Sequence, residues 1–261
     1  YLFSSIYFSI NKFVFQYDLI DPSADVSLRW NNLVAAHHVT DEWLRKVSRA
    51  KKASPWPTIF LLGNPKSATS SIFAFITETE GSDVCGGRVL AGEPDYYDKE
   101  QHAFDRLEQG WTLNISRYLR HYAADAHDKF CRRFMDATPS YFSDGGTGDD
   151  PASQRMWATL PPGIRTASTF VIALREPLSF AKSYHTHGCS QGWLKPKDIC
   201  ADLELFLEAR IKEGWHSAIF AYKSNLKRWF ETFGRSRFLV LQFETLSRSL
   251  DALEDFLDFP E

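Results

Sequence analysis

Lys66, Thr69, Ser70 and Ser71 crowd into six residues directly after an apolar run, TIFLL (58–62), and Gly63. A strand that ends in glycine, a lysine in the loop and hydroxyls opening a helix together form an anion cradle. Free N–H groups at the helix start point outward, and the lysine and hydroxyls add charge and donors. A Ser/Thr-rich helix start alone is usually only a cap. The buried strand before it and the lysine inside the loop favour phosphate or sulfate. The nucleoside-triphosphatase pattern GxxxxGK[ST] does not fit, because no glycine precedes Lys66. More than one hundred residues later a second apolar run, STFVIAL (168–174), ends at Arg175, followed by Pro177 and Ser183. An arginine grips a phosphate with two parallel N–H bonds and a serine hydroxyl adds one more, whereas Arg175 taken alone reads as a surface ion pair. Between residues 93 and 108 lie six acids, Glu93 and Asp95 first among them. On composition alone these are solvated carboxylates.

These groups need a scaffold. Runs 58–62 and 168–174 are short and almost wholly apolar, as strands buried on both faces are. Residues 132–136 (RRFMD) and 237–243 read as further strands. Helical patterns follow at 69–79, after Pro177, over 219–233 and along Leu246, Leu250, Leu253 and Leu257. Helix-like stretches also fall at 99–109 and 112–124, and 143–151 (SDGGTGDDP) reads as an exposed loop. Strands alternating with helices predict a single α/β domain with a mostly parallel sheet and helices on both faces.

The whole chain has 261 residues and a net charge of −3, with 44% hydrophobic and 24% charged residues. These values exclude a disordered or low-complexity chain, and the absence of a basic excess argues against a nucleic-acid binder. Aromatic residues reach 15%, a high share, most of it expected in the core and a few at a cleft for a planar or sugar ligand. The four cysteines include no CxxC. Cys189 and Cys200 flank a loop-like stretch that they would bridge in an oxidising compartment, and four reduced buried thiols is the alternative. His37, His38, His185 and His187 fit no metal-ligand spacing. Residues 1–20 hold 13 apolar side chains, but their longest uncharged stretch is 11 residues, short of a bilayer span. They read as an element packing on the domain or the trailing end of an anchor.

The motif Gly63-Asn-Pro-Lys66-Ser67-Ala68-Thr69-Ser70 resembles the 5'-phosphosulfate loop of the sulfotransferases, Gly-x-x-Lys-x-Gly-Thr-Thr. Ala68 stands where that family has glycine, and alanine fits without strain only at negative φ. Arg175, Pro177 and Ser183 resemble the family's 3'-phosphate motif, with Phe180 where an arginine often stands. GEPDYYD (92–98) and MDATPSYF (135–142) resemble stretches of the glycan sulfotransferases, with Ala137 in place of a lysine. The resemblance covers about residues 57–261, leaving 1–56 as an N-terminal extension.

The resemblance implies a nucleotide-kinase-like P-loop fold and transfer of a sulfuryl group from 3'-phosphoadenosine 5'-phosphosulfate (PAPS) to a hydroxyl or amine of a carbohydrate or glycosaminoglycan. It assigns Glu93 as base and Lys66 as the cation at the leaving phosphate. Lys66, Ser67, Ala68, Thr69, Ser70, Ser71, Arg175 and Ser183 would hold the donor, and Asp95, Tyr141 and His185 would touch the acceptor. No metal is required. A type II anchor outside this chain and a Golgi-lumenal location follow from the same resemblance, and with them a Cys189–Cys200 bridge. The family's nucleotide-closing loop beyond the position of Pro260 is missing, so the sequence is truncated or the site incomplete. Rival readings are an inactive glycan- or partner-binding relative and an ATP-dependent P-loop kinase.

Overall fold

A computed structural model describes residues 54–87, 99–105, 115–123, 131–143, 151–194, 197–213 and 220–259. Its centre is a five-stranded, all-parallel sheet. The strands are β1 (Ile59–Gly63), β2 (Val84–Cys85), β3 (Arg133–Asp136), β4 (Thr169–Leu174) and β5 (Phe238–Gln242). They lie in the order β2-β3-β1-β4-β5. β1 pairs with β4 from Ile59↔Thr169 to Gly63↔Ala173, and β4 with β5 from Phe170↔Phe238 to Leu174↔Gln242.

The helices are α1 (Thr69–Glu78), α2 (Ile115–Ala123), α3 (Ala152–Thr159), α4 (Pro162–Ala167), α5 (Pro177–Ser190), α6 (Lys197–Ala201), α7 (Leu203–Lys212), α8 (Tyr222–Phe233) and α9 (Leu250–Leu257). Alternation along the buried strands divides the core in two. Phe60, Leu62, Phe170 and Ile172 face one layer, with Tyr118, Leu119 and Tyr122 of α2, Met156 of α3, and Leu226, Trp229 and Phe233 of α8. Ile59, Leu61, Val171 and Ala173 face the other, with Ile72 and Ile76 of α1 and Leu253 and Leu257 of α9. Much of the aromatic content is this core. Phe170 alone stacks within 4.6–5.6 Å of Phe233, Phe238, Phe60 and Trp229. Burying one such side chain contributes about 1.5–3 kcal/mol.

Three expectations change. Residues 99–105 form turns rather than the start of a helix. β2 and helices α3 and α4 stand where the sequence pattern predicted none. The cysteines form two bridges, Cys85–Cys131 as well as Cys189–Cys200. The first joins β2 to the chain entering β3 across 46 residues and is worth about 4 kcal/mol by loop closure, the second, across 11 residues, about 3. The loop expected at 143–151, the histidines at 37 and 38 and the N-terminal apolar segment fall wholly or mostly outside the described residues. Among the described residues no helix is long and apolar enough to cross a membrane.

The strand order creates one special place. From β1 the chain moves outward to β2 and returns through β3, then crosses to β4 on the other side. The order therefore reverses between β1 and β4, which opens a crevice beyond their carboxyl ends.

Candidate active site

Both motifs, after β1 and after β4, end at that crevice. Gly63 closes β1 with φ 137°, and a Cβ there would lie 2.0 Å from the Ala173 carbonyl of β4. Only glycine lets the two strands run side by side to their ends and the chain then peel away. The Asn64 N–H donates to the same carbonyl at 3.2 Å. The loop turns through Lys66 and Ala68, both with positive φ (65° and 62°). A left-handed conformation costs an L-residue about 1–2 kcal/mol. Ala68 therefore carries the strain that a glycine would avoid, and the condition of negative φ is not met.

Ala68 is the N-cap of α1 and has no oxygen to offer the first turn. The N–H groups opening α1 are left without a side-chain cap, and the positive end of the helix faces out. Ser67 is fully buried, and its hydroxyl has no hydrogen-bond partner among the described residues. An orphaned donor beside uncapped N–H groups is what an incoming oxyanion would satisfy.

β4 delivers the second half. Arg175 donates through Nη1 to the Lys66 carbonyl at 2.9 Å and lies 4.2 Å above the Phe243 ring. Its Nε is buried without a partner among the described residues. A relay locks it to the first loop: Asn64 Nδ2 donates to the Tyr222 hydroxyl at 2.8 Å, which donates to the Arg175 carbonyl at 2.7 Å. Burial pushes the Tyr222 hydroxyl well up, with Glu176 and Glu244 adding to it, so it stays protonated and keeps donating. Helix α5 then presents one polar stripe. Ser179, Lys182, Ser183, Thr186, His187 and Ser190 join Lys66 and Arg175 to line an open cleft of about 550 Å³. Among the described residues three cations and no carboxylate line it, so it favours an anion.

The cleft thus brings together Lys66, Arg175 and Ser183. Phe180 is fully buried, and the basic residue that α5 turns to the cleft is Lys182. Thr69, Ser70 and Ser71 open α1, with Thr69 buried and the other two exposed. Tyr141 is corrected: it is fully buried, its hydroxyl accepting from the Ala103 N–H and donating to Asp136, so it is shut away from any substrate. His185 is not among the cleft residues either. Its Nε2 meets the Ile199 carbonyl at 2.7 Å and its ring packs on Phe206. His187, two residues on, lines the cleft and meets the exposed Trp193 edge-on at 4.8 Å. Glu93 and Asp95 lie outside the described residues.

Beneath the site Asp136, at the end of β3, is fully buried and accepts from Thr138 (2.6 Å), Tyr118 (2.9 Å) and Tyr141 (3.1 Å). Burial raises its carboxyl to about 6, against the pull of those three hydroxyls. Among the described residues no group of three or more His, Cys, Asp or Glu is arranged to hold a metal.

No family model matches the sequence, and no curated protein does. Solved structures do resemble it. A sulfotransferase from Alicyclobacillus acidocaldarius matches with a TM-score of 0.59 at 19% identity, over 78% of this chain and 82% of that one. The sulfotransferase domain from the curacin biosynthetic pathway aligns with a TM-score of 0.38 at 14% identity, over 80% and 76%. The chain therefore shares the α/β fold of a bacterial sulfotransferase, with a five-stranded parallel sheet flanked by helices.

Proposed function

We propose that this protein is a sulfotransferase that takes its sulfuryl group from PAPS. The observation that carries the reading is the meeting of two distant motifs, Lys66 with its uncapped helix start and Arg175 with Ser183, in one cation-lined cleft. A donor with phosphates at its 5' and 3' ends suits two anion grips held side by side. The orphaned Ser67 hydroxyl and Arg175 Nε fit oxyanions at both.

PAPS supplies an activated sulfuryl group and a stable leaving group, adenosine 3',5'-bisphosphate. Lys66 and the N–H groups opening α1 stabilise the negative charge that grows on the 5'-phosphate as the S–O bond breaks. Arg175 and Ser183 hold the 3'-phosphate, which distinguishes this nucleotide from ATP. The attacking acceptor oxygen must shed its proton, and Glu93 takes it. Positioning and charge stabilisation do most of the work, as in phosphoryl transfer. The acceptor is a carbohydrate, on the likeness of residues 92–98 and 135–142 to the glycan enzymes. Two disulfides support an oxidising compartment such as the Golgi lumen.

Calorimetric titration with adenosine 3',5'-bisphosphate and with ATP plus Mg²⁺, alongside transfer of labelled sulfate to a heparan-type acceptor, tests this reading. Tight binding of the bisphosphate with labelled product is expected. Preference for ATP with Mg²⁺ would make the protein a kinase, and binding of neither nucleotide an inactive relative.

A further inference from the structure

Lys99 lies 28 residues beyond Ser71 in sequence and belongs to neither motif that forms the cradle. Its Nζ nevertheless stands 3.2 Å from Ser70 Oγ and 3.4 Å from Thr69 Oγ1, at the opening of α1. The side chain is only 13% exposed. Its backbone carbonyl accepts from the Ala137 N–H at 3.0 Å, which pins it beyond the end of β3, the strand beside β1.

The placement is electrostatically odd. A cation belongs at the carboxyl end of a helix, and at the amino end it meets the positive pole. Lys66 already sits in the loop that leads into α1. Against two ammonium groups and the uncapped N–H groups stands, among the described residues, one neighbouring carboxylate, Glu100, 2.6 Å from Lys99 Nζ. That carboxylate is shared with the His102 ring, whose Nε2 lies 3.3 Å from its other oxygen. Burial raises the Glu100 carboxyl, but His102 and Lys99 together hold it below its ordinary value, so it stays an anion. Among the described residues one carboxylate does not balance the assembly, and an anionic group on the hydroxyl side of α1 does.

We propose that Lys99 is a second cation of the cradle and, resting on the sulfotransferase reading above, contacts the 5'-phosphosulfate end of the donor at the start of α1. Lys66 reaches the group from the loop. Lys99 reaches it past the hydroxyls of Thr69 and Ser70, which orient the ammonium. In the transfer, the acceptor oxygen bonds to sulfur, the bond from sulfur to the 5'-phosphate oxygen breaks, and its electron pair stays on that oxygen. Lys99 stabilises this charge and donates no proton.

The test pairs two nucleotides that differ only at the 5' end, adenosine 3',5'-bisphosphate and adenosine 3'-phosphate. Lys99→Met should weaken the bisphosphate about ten- to a hundredfold and leave the monophosphate within about threefold, with Lys99→Arg close to the original protein. Turnover with PAPS should fall at least as far. If the methionine variant does not fold, Lys99→Gln, which still donates to Ser70, decides by the same comparison. Equal losses for both nucleotides, or none, overturn the role and leave Lys99 a pin for the 99–105 segment. If the unaltered protein does not prefer the bisphosphate, the sulfotransferase reading itself fails, and this inference with it.

Discussion

Two helices begin at the same crevice and treat their amino ends oppositely. At α5, Pro177 supplies no N–H, and the Glu176 carboxylate accepts from Leu178 (3.0 Å) and Ser179 (2.7 Å). The positive pole is satisfied from within. At α1, the N-cap is Ala68, left-handed and without a capping oxygen. On the proposed function the difference assigns the labour: α5 would grip an anion with side chains, Arg175 before it and Ser183 along its stripe, and α1 with its own backbone, reinforced by Lys66. A capped helix start is built for stability and an uncapped one for a ligand.

The largest expected effect falls at the open end. Lys66→Ala should lower turnover about a hundred- to a thousandfold, the loss typical of one donor to a developing oxyanion, while binding of the bisphosphate product weakens less. A raised Michaelis constant with unchanged turnover would put Lys66 outside the charge that develops in the transition state.

The comparison can be sharpened with a carboxylate that has no helix start to rest on. Asp136 leans on three hydroxyls, and burial raises its carboxyl from 3.8 to about 6. The folded state therefore keeps a proton that the unfolded chain has lost between those values. Its contribution is complete below about pH 4 and is lost as pH rises through about 6, a change of about 3 kcal/mol at most. Denaturant titrations from pH 4 to 7 should show the original protein losing stability relative to Asp136→Asn. Parallel curves would mean the carboxylate is ionised throughout.

At the capped end, Arg175→Ala or Ser183→Ala should cost about 1.5–3 kcal/mol in affinity for adenosine 3',5'-bisphosphate and far less for adenosine 5'-phosphate. Similar losses for both would detach this pair from the 3'-phosphate. Two stability measurements finish the series. Glu176→Ala removes a working cap and should lower folding stability by about 1 kcal/mol. Ala68→Gly relieves a left-handed alanine and should raise it by about 1 kcal/mol without providing a cap. If both changes move the melting temperature the same way, the contrast between the two ends is wrong.

Much of this contrast was legible in the residues, and the reason is physical. β1 and β4 are buried on both faces, so they read as unbroken apolar runs, and the residues that leave them, Lys66 and Arg175, stand out against that background. Ser183 was singled out by the resemblance of its motif to the family's 3'-phosphate motif. Lys99 was hidden in a stretch that mixes charges as any solvated turn does, and only the fold carries its ammonium to Ser70. Tyr222 sat within the aromatic stripe of α8, and nothing in that pattern distinguishes a hydroxyl that bridges Asn64 and Arg175 from a core ring. Tyr141 erred the other way: its neighbours suggested a substrate contact, whereas its hydroxyl supports Asp136. Local sequence shows which residue types occur, but not which ones a turn or a sheet edge will bring together. β2, two residues long, and the Cys85–Cys131 bridge across 46 residues are further cases.

A crystal structure of the protein with adenosine 3',5'-bisphosphate tests the central claim most directly. The account predicts the 5'-phosphate on the N–H groups of residues 67–71 beside Lys66, and the 3'-phosphate between Arg175 and Ser183. A bisphosphate bound in the reverse sense, or away from the crevice between β1 and β4, would contradict it.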